Sequence, residues 1–122
     1  MKLTLDDNTA QFLVHEYTSD YIRVNNTRHE RSIVICYNAI LPDWSPKSIE
    51  QLTEDHIAQI LANDPEIILI GTGKTIKFPH PRILRQAYEK NIGVEVMDTV
   101  AACRTFNMLA SDGRKVVAGL IM

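Results

Sequence analysis

The sequence has few of the residues that mark a disulfide-rich, membrane-spanning or nucleic-acid-binding protein. Only two of its 122 residues are cysteine, Cys36 and Cys103, which is too few for a disulfide framework and shows no metal-ligand spacing. It has no run of about 18 apolar residues, so no membrane span is expected. Its formal net charge is -2, whereas nucleic-acid-binding domains usually have a basic excess. We therefore expect an ordinary globular protein with no nucleic-acid partner.

The histidines and the first residues give no signal for a metal, a cofactor or export. His15, His29, His56 and His80 are far apart in the sequence and lack the spacing of metal ligands. Residues 1–14 include two adjacent aspartates and lack the features of a secretory signal or a transit peptide. We expect a cytoplasmic protein with reduced, buried cysteines. Residues 1–122 are predicted to form a single domain, because the chain has the length of one.

The first 40 residues are typical of β structure. Residues 11–17, 21–24 and the apolar run 32–37 are predicted strands, with a turn at Asn25-Asn26. Together they predict a meander. The two prolines of the segment 42–46 then predict a loop or crossing segment. It contains Trp44, which is expected to cover one end of the core, with an exposed interaction anchor as the alternative.

The remaining residues alternate between helix and strand. The predicted elements are a helix capped by Thr53 and reaching about Asn63, a strand over 66–70, a helix from Pro81 to Asn91, a strand over 94–97, a helix capped by Asp98 and reaching about Ala110, and a strand over 116–121. This order favours parallel pairing of the three strands. Their almost continuous apolar character is typical of strands covered on both faces. Tyr88 is predicted to lie on the buried stripe of the second helix.

The glycine loop from Gly71 to Thr75 shares only part of a phosphate-loop pattern. A P-loop needs a glycine five positions before Gly73, where this sequence has Ile68. The dinucleotide-binding fingerprint fails as well, because Ile76 stands where its third glycine belongs. A turn that requires a positive φ explains the glycines without a ligand. The alternative is a loop whose backbone N–H groups approach a ligand or partner.

Further candidate site residues lie at the start of the last helix. Because parallel strands end side by side, the glycine loop is expected to lie next to Asp98 and Thr99. Asp98 is also a candidate helix N-cap. Arg104 faces away from the core positions, and its expected role is an internal salt bridge or the binding of an anion or partner. The candidate pocket comprises Gly71, Thr72, Gly73, Asp98, Thr99, Arg104, Thr105 and Asn107, and it contains no complete catalytic set.

Two more features have both a structural and a functional interpretation. A local basic stretch follows the glycine loop and is either solvated surface or a means of attracting an acidic partner or anionic ligand; it comprises Lys74, Lys77, His80, Arg82 and Arg85. Cys103 lies five residues after Asp98, near a helix start, where a thiol pKa can fall. No histidine is close to it in sequence, which favours an unreactive buried thiol.

The runs Ile70-Gly71-Thr72-Gly73, Val94-Glu95-Val96-Met97-Asp98-Thr99 and Ala101 to Asn107 resemble a small family once filed as a domain of unknown function. That family includes mitochondrial complex I assembly factor 3, an adipogenesis-associated cytosolic homologue and many short bacterial and archaeal proteins. The resemblance covers nearly the whole chain and is densest over 66–122. It implies a three-layer (β+α/β/α) fold with a mixed central sheet and an additional β layer, which agrees with the predicted meander followed by βαβαβ.

Two functional hypotheses follow. The resemblance and the lack of a catalytic set favour a non-enzymatic accessory or assembly factor whose protein partner contacts the loop 71–75 and the surface around Arg104. The alternative is a small-molecule protein, or an enzyme of unrecognised type, with an anion-accepting pocket formed by Gly71, Gly73, Asp98 and Arg104. A homodimer is compatible with so small a domain. The sequence does not identify the partner or the ligand.

Overall fold

The computed structural model describes residues 10–122. Its strands are β1 (Val14–Tyr17), β2 (Ile22–Val24), β3 (Thr27–His29), β4 (Ile33–Cys36), β5 (Ile40–Leu41), β6 (Ile67–Gly71), β7 (Gly93–Met97) and β8 (Val116–Leu120). Its α-helices are α1 (Glu54–Leu61), α2 (Arg85–Glu89) and α3 (Thr99–Ser111), and short 3₁₀ turns occupy Ile49–Gln51 and Pro81–Leu84. None of the helices in this range is long and apolar enough to cross a bilayer. The prediction that residues 1–14 contain no targeting segment falls mainly on positions 1–9, which lie outside the described residues.

Five strands form a mixed central sheet in the order β5–β4–β8–β6–β7. β6 pairs in parallel with both β7 and β8, whereas β4 pairs antiparallel with β5 and β8. The predicted parallel strand–helix–strand–helix–strand unit is therefore confirmed. β8 is buried along its whole length, as its continuous apolar sequence predicts. β7 departs from that expectation, because it is an edge strand whose residues are only half-buried or exposed.

Each face of the central sheet has its own hydrophobic core, which gives three layers. On one face α1 and α2 pack with Trp44, burying residues such as Ile57, Ile60 and Ala87. On the other face α3 buries Phe106 and its small neighbours together with the three-stranded sheet β1–β2–β3. The predicted arrangement, with a β layer beside one of the helical layers, is thus confirmed. The extent of the domain over 1–122 stays a prediction.

The meander contains different strands from those predicted. β1, β2 and β3 form an antiparallel sheet of their own, with a turn at Asn25, whose φ is 51°. Residues 32–37 do not extend it, because β4 lies in the central sheet between β5 and β8. All four residues of β4 are buried, as expected of a strand covered on both faces. The short strands β3 and β5 were not predicted, and residues 11–13 lie outside β1.

The predicted helix from Pro81 to Asn91 is only partly α-helical. It begins as a 3₁₀ turn, in which Pro81 occupies the first position and the His80 side chain accepts the Arg82 N–H. Ile83, Leu84 and Ala87 are buried as predicted. Tyr88, however, is 52% exposed, so its assignment to the buried stripe was wrong. A 3₁₀ turn has 3.0 residues per turn rather than 3.6, which changes the direction in which the following residues point.

Trp44 covers one end of the core, as predicted, and is only 3% exposed. Its indole N–H donates to Gln59 Oε1 at 3.0 Å, so the polar end of this buried ring is satisfied. The ring lies against Gly119 of β8, where a Cβ would come within 2.5 Å of Trp44 Cη2. The alternative of an exposed interaction anchor is therefore wrong for this residue.

This contact predicts that Gly119→Ala destabilises the protein. Overpacking of a filled core costs roughly 1–3 kcal/mol, and we expect a loss of that size in the free energy of unfolding measured with urea. Gly93→Ala is the matched control, because it lies in a strand of the same sheet and a Cβ there would meet nothing within 4 Å. Equal effects of the two substitutions would contradict the proposed packing of Trp44.

Candidate functional site

The first turn of α3 lies against the carboxyl ends of β6 and β8, where the sequence predicted a site. A Cβ on Gly71 would lie 3.0 Å from Thr99 Cα and 3.1 Å from Ala102 Cβ, so a larger residue would require the helix to shift away by a few tenths of an ångström. The Thr99 hydroxyl donates to the Ile121 carbonyl at 2.7 Å and accepts the Gly73 N–H at 2.8 Å. The Thr99 N–H donates to the Gly73 carbonyl at 3.0 Å. One side chain therefore joins both strand ends to the helix.

Thr72 and Asp98 also form internal hydrogen bonds at this junction. The Thr72 N–H donates to the Met97 carbonyl at 2.9 Å, and its hydroxyl donates to the Thr75 carbonyl at 2.7 Å. Gly73 has a φ of 98°, which confirms the predicted need for a positive φ. The Asp98 carboxylate accepts the Ala101 N–H at 2.8 Å, so its predicted N-cap role is confirmed. The N–H groups of Thr72 and Gly73 are thus already occupied.

Arg104 and Asn107 fasten β1 to α3. Arg104 Nε donates to Tyr17 Oη at 2.8 Å, and this bond, with the nearby charges of Tyr17 and Asp98, raises the pKa of the guanidinium. The Asn107 side chain accepts the Val14 N–H at 2.8 Å and donates to the Val14 carbonyl at 2.7 Å. These are the two backbone groups that a residue of a neighbouring antiparallel strand would bind.

The predicted internal salt bridge of Arg104 is wrong. Within residues 10–122 it forms no ion pair, and its polar partner is the Tyr17 phenol. The carboxylate oxygen Oδ1 of Asp98 is instead used to cap α3. Thr105, another predicted site residue, donates its hydroxyl to Met97 Sδ at 3.5 Å.

An open groove of about 230 Å³ lies beside this junction, and we call it the strand-end groove. It is lined by the strand ends, the start of α3 and the turn between β1 and β2, namely Tyr17, Thr18, Ser19, Ile22, Gly73, Lys74, Thr99, Val100, Ile121 and Met122. Only Gly73 and Thr99 of the predicted pocket residues line it, while Arg104 is linked to it through Tyr17. Tyr17 and Ile22 were not predicted as site residues, because they reach the groove from a distant part of the chain.

The strand-end groove is mainly apolar. Val100, on the first turn of α3, is 40% exposed, and Lys74 supplies a positive charge at the edge. The polar atoms of Thr99 that face the strand ends are already paired. The groove is therefore suited to accept an apolar group that has a negative charge nearby.

Ser45 and His56 also lie in contact, outside the predicted site. Ser45 Oγ is 2.7 Å from His56 Nε2. His56 belongs to the capping box of α1, where its Nδ1 accepts the Thr53 N–H at 2.9 Å. In the neutral ring the proton must then be on Nε2, which donates to Ser45. A histidine in this tautomer cannot take the serine proton, so the pair is not an activated nucleophile.

Both cysteines are buried and unpaired. Burial raises the pKa of the Cys36 thiol to about 11 and that of Cys103 to about 12. Cys103 points into the core between α3 and the sheet rather than toward the helix start, so the alternative of a lowered pKa was wrong. Among residues 10–122, no three His, Cys, Asp or Glu side chains gather in a way that could hold a metal ion.

The environment of His56 predicts a pH dependence of stability. Burial lowers the His56 pKa, although the charge of Asp55 opposes this, so the unfolded chain binds the proton more tightly. Stability is therefore lost as pH falls through about 6.5. Glutamine at the same position keeps the capping box without titrating. Between pH 7 and 5, we expect the urea midpoint to fall less for His56→Gln than for the wild type, whereas His15→Gln, at an exposed site in β1, should follow the wild type. Equal slopes for His56→Gln and the wild type would contradict this role.

Comparison with known proteins places the chain in a family. Residues 14–121 match the family model described as "Protein of unknown function (DUF498/DUF598)". The mouse protein NADH dehydrogenase (ubiquinone) 1 alpha subcomplex assembly factor 3 is 35% identical over 103 residues, which cover 75% of this chain and 56% of the relative. The 13 kDa major membrane protein of Francisella tularensis is 30% identical over 118 residues, covering 93% of this chain and 95% of the relative.

A solved structure agrees with this placement. A Bordetella pertussis protein described as a Mth938-like domain has a TM-score of 0.83 and 30% identity, covering 99% of this chain and 92% of that one. The chain spans 56%, 65% and 48% of the assembly factors from mouse, Xenopus tropicalis and cattle. Because the family model matches most of the chain, this protein belongs to the DUF498/DUF598 family, as the resemblance in its sequence predicted.

Proposed function

We propose that this protein is a non-enzymatic accessory or assembly factor that binds another protein. The observation on which this rests is the state of the predicted site. The side chains of Asp98, Thr99 and Asn107 bind backbone groups of the helix start, the strand ends and β1, while the groove beside them is open and mainly apolar. Such a surface suits the docking of a partner's apolar side chain better than it suits proton transfer.

We propose that the partner docks at the strand-end groove. The exposed Val100 side chain offers apolar contact, and Lys74 offers a charge for a carboxylate at the rim. Arg104 lies behind Tyr17, which it positions through a hydrogen bond of 2.8 Å. In this proposal Arg104 acts through Tyr17 rather than by direct contact.

The relatives named as complex I assembly factors support an accessory role. We propose, for this chain, assistance in assembling a multi-subunit complex; the respiratory complex of those relatives is one candidate. We also propose a cytoplasmic location, with the two unpaired cysteines as support, because such thiols are typical of a reducing compartment.

Co-purification tests the proposal. The tagged protein is recovered from its own cells together with bound proteins, which are identified by mass spectrometry. Val100→Glu places a charge in the groove and is expected to lose the specific partner. Met108→Glu is the matched control, because Met108 lies on the same helix and is 59% exposed, and this variant should keep the partner. Both variants must first show wild-type circular dichroism and unfolding.

A second candidate is supported by the size of the groove. A volume of about 230 Å³ is enough for a small apolar molecule with one anionic group, which Lys74 would attract. A small molecule retained by the wild type in native mass spectrometry, absent from Val100→Glu and unaccompanied by any protein, would favour this candidate. Recovery of the same proteins with wild type and Val100→Glu would contradict docking at this groove.

A further inference from the structure

The β7 edge of the central sheet has backbone groups that no strand of the described residues pairs with. β7 is the last strand, and no other strand of residues 10–122 pairs with its outer side. The Met97 carbonyl accepts the Thr72 N–H, so the backbone groups of Met97 point toward β6. Backbone groups of alternate residues point to opposite sides of a strand. The N–H and C=O groups of Val94 and Val96 therefore face the open edge.

An apolar groove runs beside this open edge. It has a volume of about 360 Å³ and is lined by Phe78, Pro79, Pro81, Leu84, Tyr88 and residues 94–96 of β7. Phe78 is 73% exposed and Tyr88 is 52% exposed. Two large exposed aromatic rings beside an unpaired strand are typical of a protein-binding surface. We call this groove and the outer side of β7 the β7 edge surface.

The surroundings of the β7 edge surface are strongly basic. Residues 77–90, which supply Phe78 and Tyr88 to this surface, contain four Lys or Arg and one Glu, a formal charge of +3, whereas the whole chain has a charge of -2. Lys77 pairs with Glu50 at 3.7 Å. Arg82 and Arg85 are exposed, and their guanidinium groups have no hydrogen-bond or ion-pair partner in the part of the chain that the structure describes. Glu95 adds one negative charge to the lining.

We propose that β7 accepts an extended acidic segment of a partner protein as an additional strand. Main-chain hydrogen bonds to Val94 and Val96 provide affinity, and apolar side chains at alternate positions of the segment contact Phe78 and Tyr88. Carboxylates of the segment lie near Arg82 and Arg85. The proposal deepens the proposed function, because it defines a second contact for a protein partner, on a surface that shares no lining residue with the strand-end groove.

Charge favours this occupant over a second copy of the chain. A symmetric pairing of two β7 strands would bring two copies of the same basic segment together, which is unfavourable at an interface. An acidic segment gains attraction from the same charges. The binding should therefore weaken with rising salt concentration, because exposed charges are screened.

A displayed library of random twelve-residue peptides, selected on the immobilised full chain, tests the proposal. We expect enrichment of segments in which acidic residues accompany apolar residues at alternate positions. A synthetic peptide of an enriched sequence should bind Phe78→Ser at least tenfold more weakly than the wild type. Ile76→Ser is the matched control, because Ile76 is 50% exposed on the same loop without lining the groove, and it should bind as the wild type does.

N-methylation of the peptide tests the strand pairing directly. Methyl groups on the alternate N–H groups that face β7 should abolish binding, whereas methyl groups on the other alternate set should be tolerated. Equal effects of the two sets would overturn pairing with β7. Enrichment of basic or uncharged segments, no enrichment, or unchanged binding to Phe78→Ser would overturn the proposal too.

The remaining outcomes separate this inference from the proposed function. Peptides that bind Phe78→Ser normally but are lost by Val100→Glu would locate binding at the strand-end groove, so the β7 proposal would fail while the proposed function stood. A dimer detected by sedimentation and broken by Phe78→Ser would replace the acidic segment with a second copy of the chain. Circular dichroism and urea unfolding establish beforehand that each variant is folded.

Discussion

The close approach of α3 to the end of β6 is the constraint on which the rest of the structure depends. Gly71 leaves room for Thr99 and Ala102, which a side chain at this position would have to displace. Because α3 lies so close, Phe106 is completely buried against the sheet. The small antiparallel sheet is attached to the same helix, partly through the paired bonds between Asn107 and Val14. A shift of α3 would therefore disturb the second core and the additional β layer together.

This constraint explains why the most motif-like residues are mainly architectural. The hydroxyl of Thr99 and the carboxylate of Asp98 satisfy backbone groups at strand ends and at the helix start, which would otherwise be unpaired. These bonds give both side chains a structural role. The surfaces left for function are the neighbouring ones, which combine exposed apolar side chains with free positive charge. We propose that both surfaces recognise another protein.

The sequence was sufficient where the signals are local. The cap at Asp98 and the apolar runs of β6 and β8 follow from neighbouring residues, so α3, β6 and β8 were predicted correctly. The place of β4 was not, because it depends on pairing such as that of Ile33 with Leu120, far apart in the chain. The contact of Arg104 with Tyr17 spans 87 positions and has no local signal. Only Gly73 and Thr99 of the predicted pocket residues line the strand-end groove, so the functional role of the predicted set stays a prediction.

Unfolding of two Thr99 variants tests the central claim most directly. Thr99→Val keeps the shape of the side chain but leaves the Gly73 N–H and the Ile121 carbonyl without the hydroxyl that pairs with both. An unsatisfied, partly buried polar group costs roughly 1–3 kcal/mol, so the account predicts a loss of this size in the urea-measured free energy of unfolding. Thr99→Ser retains the hydroxyl and should stay much closer to the wild type. Equal stability of the two variants would contradict the architectural role of this site.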